Sequence, residues 1–276
     1  MGRDPLAWLR PPCVMGVVNI TPDSFSDGGE HLAGDAARRT IDRMSHDGAV
    51  ILDLGAESTR PGAERVEADE QLRRLAPVFA DLRRRPPGAA LSIDTTRAAV
   101  AAAAIDAGAV LVNDVSAGRD DPEMFDLVAE REVAVCVMHM RGQPRDMQDD
   151  PRYTDVVGEV VAFLEERIAA AVAAGVPESR ILVDPGVGFG KTLAHNLALV
   201  SGLDRIRQLG RPVVIGLSRK GMVGLLTGRP IEGRLAGSLG GALAAVARGA
   251  DVIRAHDVGE TVDALRVWSA IARGPS

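Results

Sequence analysis

Short apolar runs recur along the chain with helix-length segments between them. They are CVMGVVN (13–19), VILDL (50–54), ALSID (90–94), VLVND (110–114), VAVCVMH (133–139), ILVD (181–184), VVIGLS (213–218) and VIRAH (252–256). Each run is nearly continuous in apolar residues, which is the pattern of strands buried on both faces of a parallel sheet. The intervening AARRTIDRMSHDG, EQLRRLAPVFADLRRR, RAAVAAAAIDAG and GETVDALRVWSAIAR carry helical periodicity. About eight strand–helix units with no linker between them predict an α/β fold, a single (β/α)8 TIM barrel of parallel strands. The domain is expected to span 1–276, with the barrel proper at about 13–271. RRRPPG (83–88) reads as a helix stop, and the polar stretch 141–153 as a mobile cover over the barrel mouth.

The C-terminal ends of these runs are polar. In order they deliver Asn19, Asp53, Asp94, Asn113 with Asp114, His139, Asp184, Ser218 followed by Lys220, and Arg254 with His256. A single Asp at such a place is ordinarily a helix N-cap. Eight polar strand ends together point instead to the mouth of a barrel, where this fold builds its active sites. Arg254 and His256 lie two apart on one strand and therefore share a face.

Composition narrows the chemistry. The 276 residues are 46% hydrophobic, 25% charged and 3% aromatic, with a net charge of −6. That balance gives neither the basic excess nor the stacking platforms of a nucleic-acid binder. Cys13 and Cys136 sit in apolar runs and read as buried thiols in a reducing compartment. The N-terminal MGRDPLAWLRPP has no leader-like apolar core, and no run approaches the roughly 18 apolar residues needed to span a bilayer, so a cytoplasmic enzyme is expected. Lysine occurs only at Lys191 and Lys220, while arginine supplies 30 of the 32 cations. Both lysines fall on loops of the mouth, where a compact ammonium acts as a point donor.

The loops add specific pieces. NITPDSFSDGG (19–29) is polar and oxygen-rich, and DLGAESTRPGA (53–63) offers hydroxyls and a guanidinium suited to phosphate. DPGVGFGKT (184–192) lacks the spacing of a nucleotide phosphate loop. GLSRKG (216–221) and RAHD (254–257) lie after the seventh and eighth strands, the usual anion site of barrels. No zinc-ligand spacing and no Ser/His/Asp nucleophile motif is present in the sequence.

Taken together with SIDT (92–95), NDVSAG (113–118), VMHMRGQPRDMQ (137–148) and RAHDVGET (254–261), these motifs resemble the dihydropteroate synthase family over roughly 13–271. The resemblance implies condensation of 6-hydroxymethyl-7,8-dihydropterin diphosphate with 4-aminobenzoate, giving 7,8-dihydropteroate and pyrophosphate, by a dissociative route in a homodimer. It places Asp94, Asn113, Met138, Asp184 and Lys220 on the pterin. Asn19, Thr59, Arg60, Arg254 and His256 would hold the pyrophosphate, with Asn19 also a ligand of Mg2+. Thr59, Pro61, Phe189 and Ser218 would form the aminobenzoate site, and Asp94, Lys220 and Arg254 are the expected catalytic residues.

Two positions depart from the family pattern. Gly221 stands where many relatives have Ser, and Ala56 where a glycine is usual. A pterin-binding barrel that passes methyl groups to cobalamin, and a non-catalytic pterin-binding paralogue, would share the pterin contacts. The methyl-passing barrel has no need of Asn19, Arg60 and His256. Phe25 is the main large apolar residue of the loops 19–29 and 53–63. Little surface therefore holds them closed, and aminobenzoate is expected to bind after the pterin substrate.

Overall fold

The computed structural model describes residues 6–7, 9–20, 29–58 and 62–274, side chains of 29–33 excepted. Segment 21–28, with Phe25, and the expected contacts of Thr59, Arg60 and Pro61 lie outside the described residues. Eight parallel strands form one sheet: β1 (Cys13–Asn19), β2 (Ile51–Gly55), β3 (Ala90–Asp94), β4 (Ala109–Asp114), β5 (Ala134–Met138), β6 (Ile181–Asp184), β7 (Val214–Gly216) and β8 (Val252–Ala255). Their spatial order, β6-β5-β4-β3-β2-β1-β8-β7, returns the last strand to the first. The two outer strands meet at one parallel bridge between Val183 and Val213, so the sheet closes on itself.

The helices α1 (Gly29–His46), α2 (Ala68–Arg84), α3 (Ala98–Asp106), α4 (Met124–Glu130), α5 (Val156–Ala173), α6 (Leu193–Ser201), α7 (Leu203–Arg207), α8 (Gly221–Thr227), α9 (Leu235–Val246) and α10 (Val258–Arg273) follow the strands. α2 ends at Arg84, before the Pro86-Pro87 pair. Alternate strand residues face outward onto these helices, and Val14, Leu52, Ile93, Val135, Val183 and Ile253 belong to that shell of the core.

The inward residues divide by height. Met15, Ile51, Leu111, Cys136, Leu182 and Val252 plug the lower barrel with apolar side chains. Two residues further along the strands the interior turns polar, with Asp53, Asn113 and Asp184 all buried. This period-two step places chemistry directly above packing.

The segment 141–153 is loop, as expected, but it is tied down. Met147 is buried with Val115, Met138, Met140 and Phe189. Gln148 Nε2 donates to Gly188 O at 2.6 Å, and Tyr153 Oη donates to Gly190 O at 2.9 Å. The cover is thus fastened to the loop after β6.

Candidate active site

The centre of the mouth is a charge network spread over four strands. Asp53 on β2 is fully buried and accepts from Ser92 Oγ at 2.7 Å, Asn113 Nδ2 at 2.9 Å and Arg254 Nε at 2.7 Å. Arg254 on β8 also donates through Nη2 to Asp94 Oδ2 at 2.6 Å. Burial opposes the charge of Arg254, yet Asp53 and Asp94 outweigh it and hold the guanidinium above its ordinary range. Burial pushes the Asp94 carboxyl up to about 7, against the pull of Arg254.

Asp53 settles two orientations at once. With one N–H of Asn113 Nδ2 held by the Asp53 carboxylate, the amide is oriented with its oxygen turned away from Asp53. With Nε and Nη2 of Arg254 committed, its other donors are left for an anion. Nothing in the sequence motifs assigned Asp53 this work. The sequence marked it only as one of the polar strand ends at the mouth, an acidic residue set between Leu52 and Leu54.

Asp184 ends β6 and is buried. Its Oδ1 accepts from Gly186 N at 2.7 Å, and burial raises its pKa against that bond and against Lys220. Lys220 caps α8 from the loop after β7, with Nζ lying 4.2 Å from the centroid of the Phe189 ring. Burial, then Arg254, lower the Lys220 ammonium to about 8. A Cβ on Gly188 would stand 3.4 Å from Lys220 Cδ, and Gly188 has φ +84°, so glycine there leaves the lysine its channel.

Met138, buried at the end of β5, packs with Phe189 and Val115 beside this pocket. Ser218 and His256 meet at the rim, where Ser218 Oγ accepts from His256 N at 3.2 Å and lies 3.1 Å from His256 Nδ1. Asn19 ends β1 at the same mouth and is half-buried.

Three polar residues of the mouth, Asp114, His139 and Lys191, prove to be scaffolding. Asp114 accepts from Ser116 N at 2.8 Å and Gly118 N at 2.6 Å, which shapes its own loop. Lys191 is buried, and its Nζ donates to Gly186 O at 2.9 Å and Phe189 O at 3.0 Å, and lies 2.9 Å from His139 Nδ1. One of the two lysines thus ties backbone together, and only Lys220 lies in the polar pocket.

His139 has a pH consequence. Burial, then Lys191, lower its imidazole from 6.5 to about 3. Unfolded, the ring gains a proton near 6.5 and folded only near 3, so stability is lost as pH falls through that window. The melting temperature is expected to fall more steeply between pH 6.5 and about 4 in the parent than in His139→Gln. Parallel melting curves would contradict this placement of the ring.

The chain is similar to known proteins over nearly its whole length. The family described as pterin binding enzyme matches residues 15–256. A dihydropteroate synthase from Haemophilus influenzae is 42% identical over 264 residues, covering 96% of this chain and 95% of its own. Xanthomonas albilineans dihydropteroate synthase, solved with 4-aminobenzoic acid, is 50% identical with a TM-score of 0.89 and covers 96% of this chain and 94% of its own. The same enzyme in complex with 7,8-dihydropteroate is 47% identical with a TM-score of 0.86 and covers 96% and 95%. A buried Asp–Arg–Asp network in the mouth of a parallel barrel, and near full-length likeness to such enzymes, lead to one conclusion: this chain belongs to the dihydropteroate synthase family of pterin-binding enzymes.

Proposed function

We propose that the mouth condenses 6-hydroxymethyl-7,8-dihydropterin diphosphate with 4-aminobenzoate, giving 7,8-dihydropteroate and pyrophosphate. The observation that carries the assignment of roles is the gathering of buried Asp94, Asn113 and Asp184 with half-buried Lys220 about Arg254 at the barrel mouth. A pterin presents a guanine-like amide and amino edge, and the Asp184 oxygen not bound to Gly186 accepts from it. The Asn113 amide oxygen accepts a further ring donor, Lys220 supplies a point donor, and Met138 packs on the ring face.

The diphosphate lies toward Arg254, His256 and Asn19, with Thr59 and Arg60 completing that set. Breaking the exocyclic C–O bond sends its electron pair out with pyrophosphate and leaves a cation conjugated with the electron-rich dihydropterin. Asp94 stabilises that positive charge, and Arg254 offsets the charge of the leaving group. The aminobenzoate amine then forms the C–N bond and releases one proton. Phe189, Ser218, Thr59 and Pro61 hold the aminobenzoate.

Among the described residues no group of three or more His, Cys, Asp or Glu is placed to hold a metal ion. A single amide oxygen, that of Asn19, fits a Mg2+ that keeps its waters and travels on substrate phosphates, and does not fit a resident metal of the fold. When bound, Mg2+ makes pyrophosphate a better leaving group. EDTA is therefore expected to stop turnover without moving the melting temperature. A lower melting temperature in EDTA would contradict it.

For a homodimer the α6–α8–α9 face is the proposed interface, because Leu197 and Leu226 line one groove there and Leu225 is 71% exposed. Sedimentation should give twice the chain mass. The free buried thiols Cys13 and Cys136 support a cytoplasmic setting, and no helix among the described residues is long and apolar enough to cross a membrane. The reaction is tested by following pyrophosphate release with both substrates and Mg2+. Sustained release is expected only when 4-aminobenzoate is present, and release at the same rate without it would show hydrolysis instead.

A further inference from the structure

Gln71 stands at the first buried position of α2, on the stripe continued by Leu75, Val78, Phe79 and Leu82. An amide on that stripe is costly unless each polar atom is bonded. Here it is: Nε2 donates to Glu57 Oε2 at 3.1 Å and to Val66 O at 2.8 Å, and Oε1 accepts from Thr95 Oγ1 at 3.1 Å. Glu57 Oε1 accepts in turn from Val66 N at 3.0 Å. Arg74, one turn along α2, donates to Ala56 O at 2.9 Å.

These bonds form a clasp. Glu57 and Val66 are the two feet of the loop between β2 and α2, and the Glu57 carboxylate joins them. Thr95 follows Asp94 directly, and its N–H donates to Asn113 O at 3.2 Å. Gln71 thus touches both feet of that loop and the end of β3 beside Asp94.

We propose that Gln71 is a positioning residue for the second substrate: it ties Glu57 and Val66, the feet of the β2–α2 loop, to Thr95 beside Asp94 and so favours aminobenzoate binding. This rests on the reading of Thr59 and Pro61 as aminobenzoate residues. Gln71 itself touches no reacting atom. Its loss should weaken the aminobenzoate half of the site and leave the pterin contacts of Asn113 on β4 and Asp184 on β6 as they are.

The test is steady-state kinetics of Gln71→Leu and Thr95→Val, each substrate varied in turn, with calorimetry of an unreactive pterin and a thermal melt. Thr95→Val keeps the side-chain shape and removes only the hydroxyl, so it carries the test where Gln71→Leu does not fold. The KM for 4-aminobenzoate is expected to rise about tenfold in Gln71→Leu, and by a smaller factor in Thr95→Val, with kcat and pterin affinity within about twofold of the parent. An unchanged aminobenzoate KM in a folded variant would overturn the proposal, as would equal losses for both substrates. If the parent itself formed no dihydropteroate, the functional reading would fail, which is a different result from a parent that turns over beside an unaffected variant.

Discussion

Asp184→Asn abolishes pterin binding while the barrel keeps its melting temperature. The substituted amide retains an oxygen for Gly186 N, so the local turn at β6 survives. Its NH2 group, however, replaces the carboxylate oxygen proposed to accept from the pterin edge and would point donors at donors. Unmade hydrogen bonds in a closed pocket cost about 1–3 kcal/mol each, so a loss of affinity of about a hundredfold or more is expected. Calorimetry with an unreactive pterin reads it directly. An affinity close to that of the parent would remove Asp184 from the pterin site.

Lys220→Arg is expected to cost most of the activity although the charge is kept. The lysine stem runs past Gly188, and its ammonium sits 4.2 Å from the centre of the Phe189 ring. A planar guanidinium is broader than an ammonium and presses on that ring or on the flat heterocycle. A fall in kcat/KM for the pterin substrate of about a hundredfold or more should follow, with the melting temperature little changed. The parent should also lose pterin affinity as pH rises through about 8, because the Lys220 ammonium gives up its proton there. Activity of Lys220→Arg near that of the parent would show that charge alone suffices.

The strand pattern was legible because barrel strands are buried on both sides and stand out as apolar runs. β1, β3 and β6 coincide with the runs 13–19, 90–94 and 181–184. β7 is shorter than the run 213–218, since Leu217 and Ser218 already turn toward the loop that carries Lys220. Polar strand ends located the mouth. They did not show which side chains face a ligand and which hold their neighbours, because that depends on contacts between distant segments.

Asp53 and Arg254 are 201 positions apart in sequence, and only closure of the sheet brings them together. Lys191 shows the converse. Its rarity marked it for function, less strongly than Lys220 among the anion-binding loops, and the turn at Gly186 folds its ammonium back onto backbone carbonyls. Gln71 was hidden by its helix, where one amide on an apolar stripe has no signal until Glu57 and Thr95 are seen on either side of it.

The most direct test of the central claim is to incubate the protein with 6-hydroxymethyl-7,8-dihydropterin diphosphate, 15N-labelled 4-aminobenzoate and Mg2+, and to follow the products by mass spectrometry. The account predicts 7,8-dihydropteroate carrying the label, formed in step with pyrophosphate and lost in Asp184→Asn. Binding of both substrates with no labelled dihydropteroate would contradict it and leave a pterin-binding barrel without synthase activity.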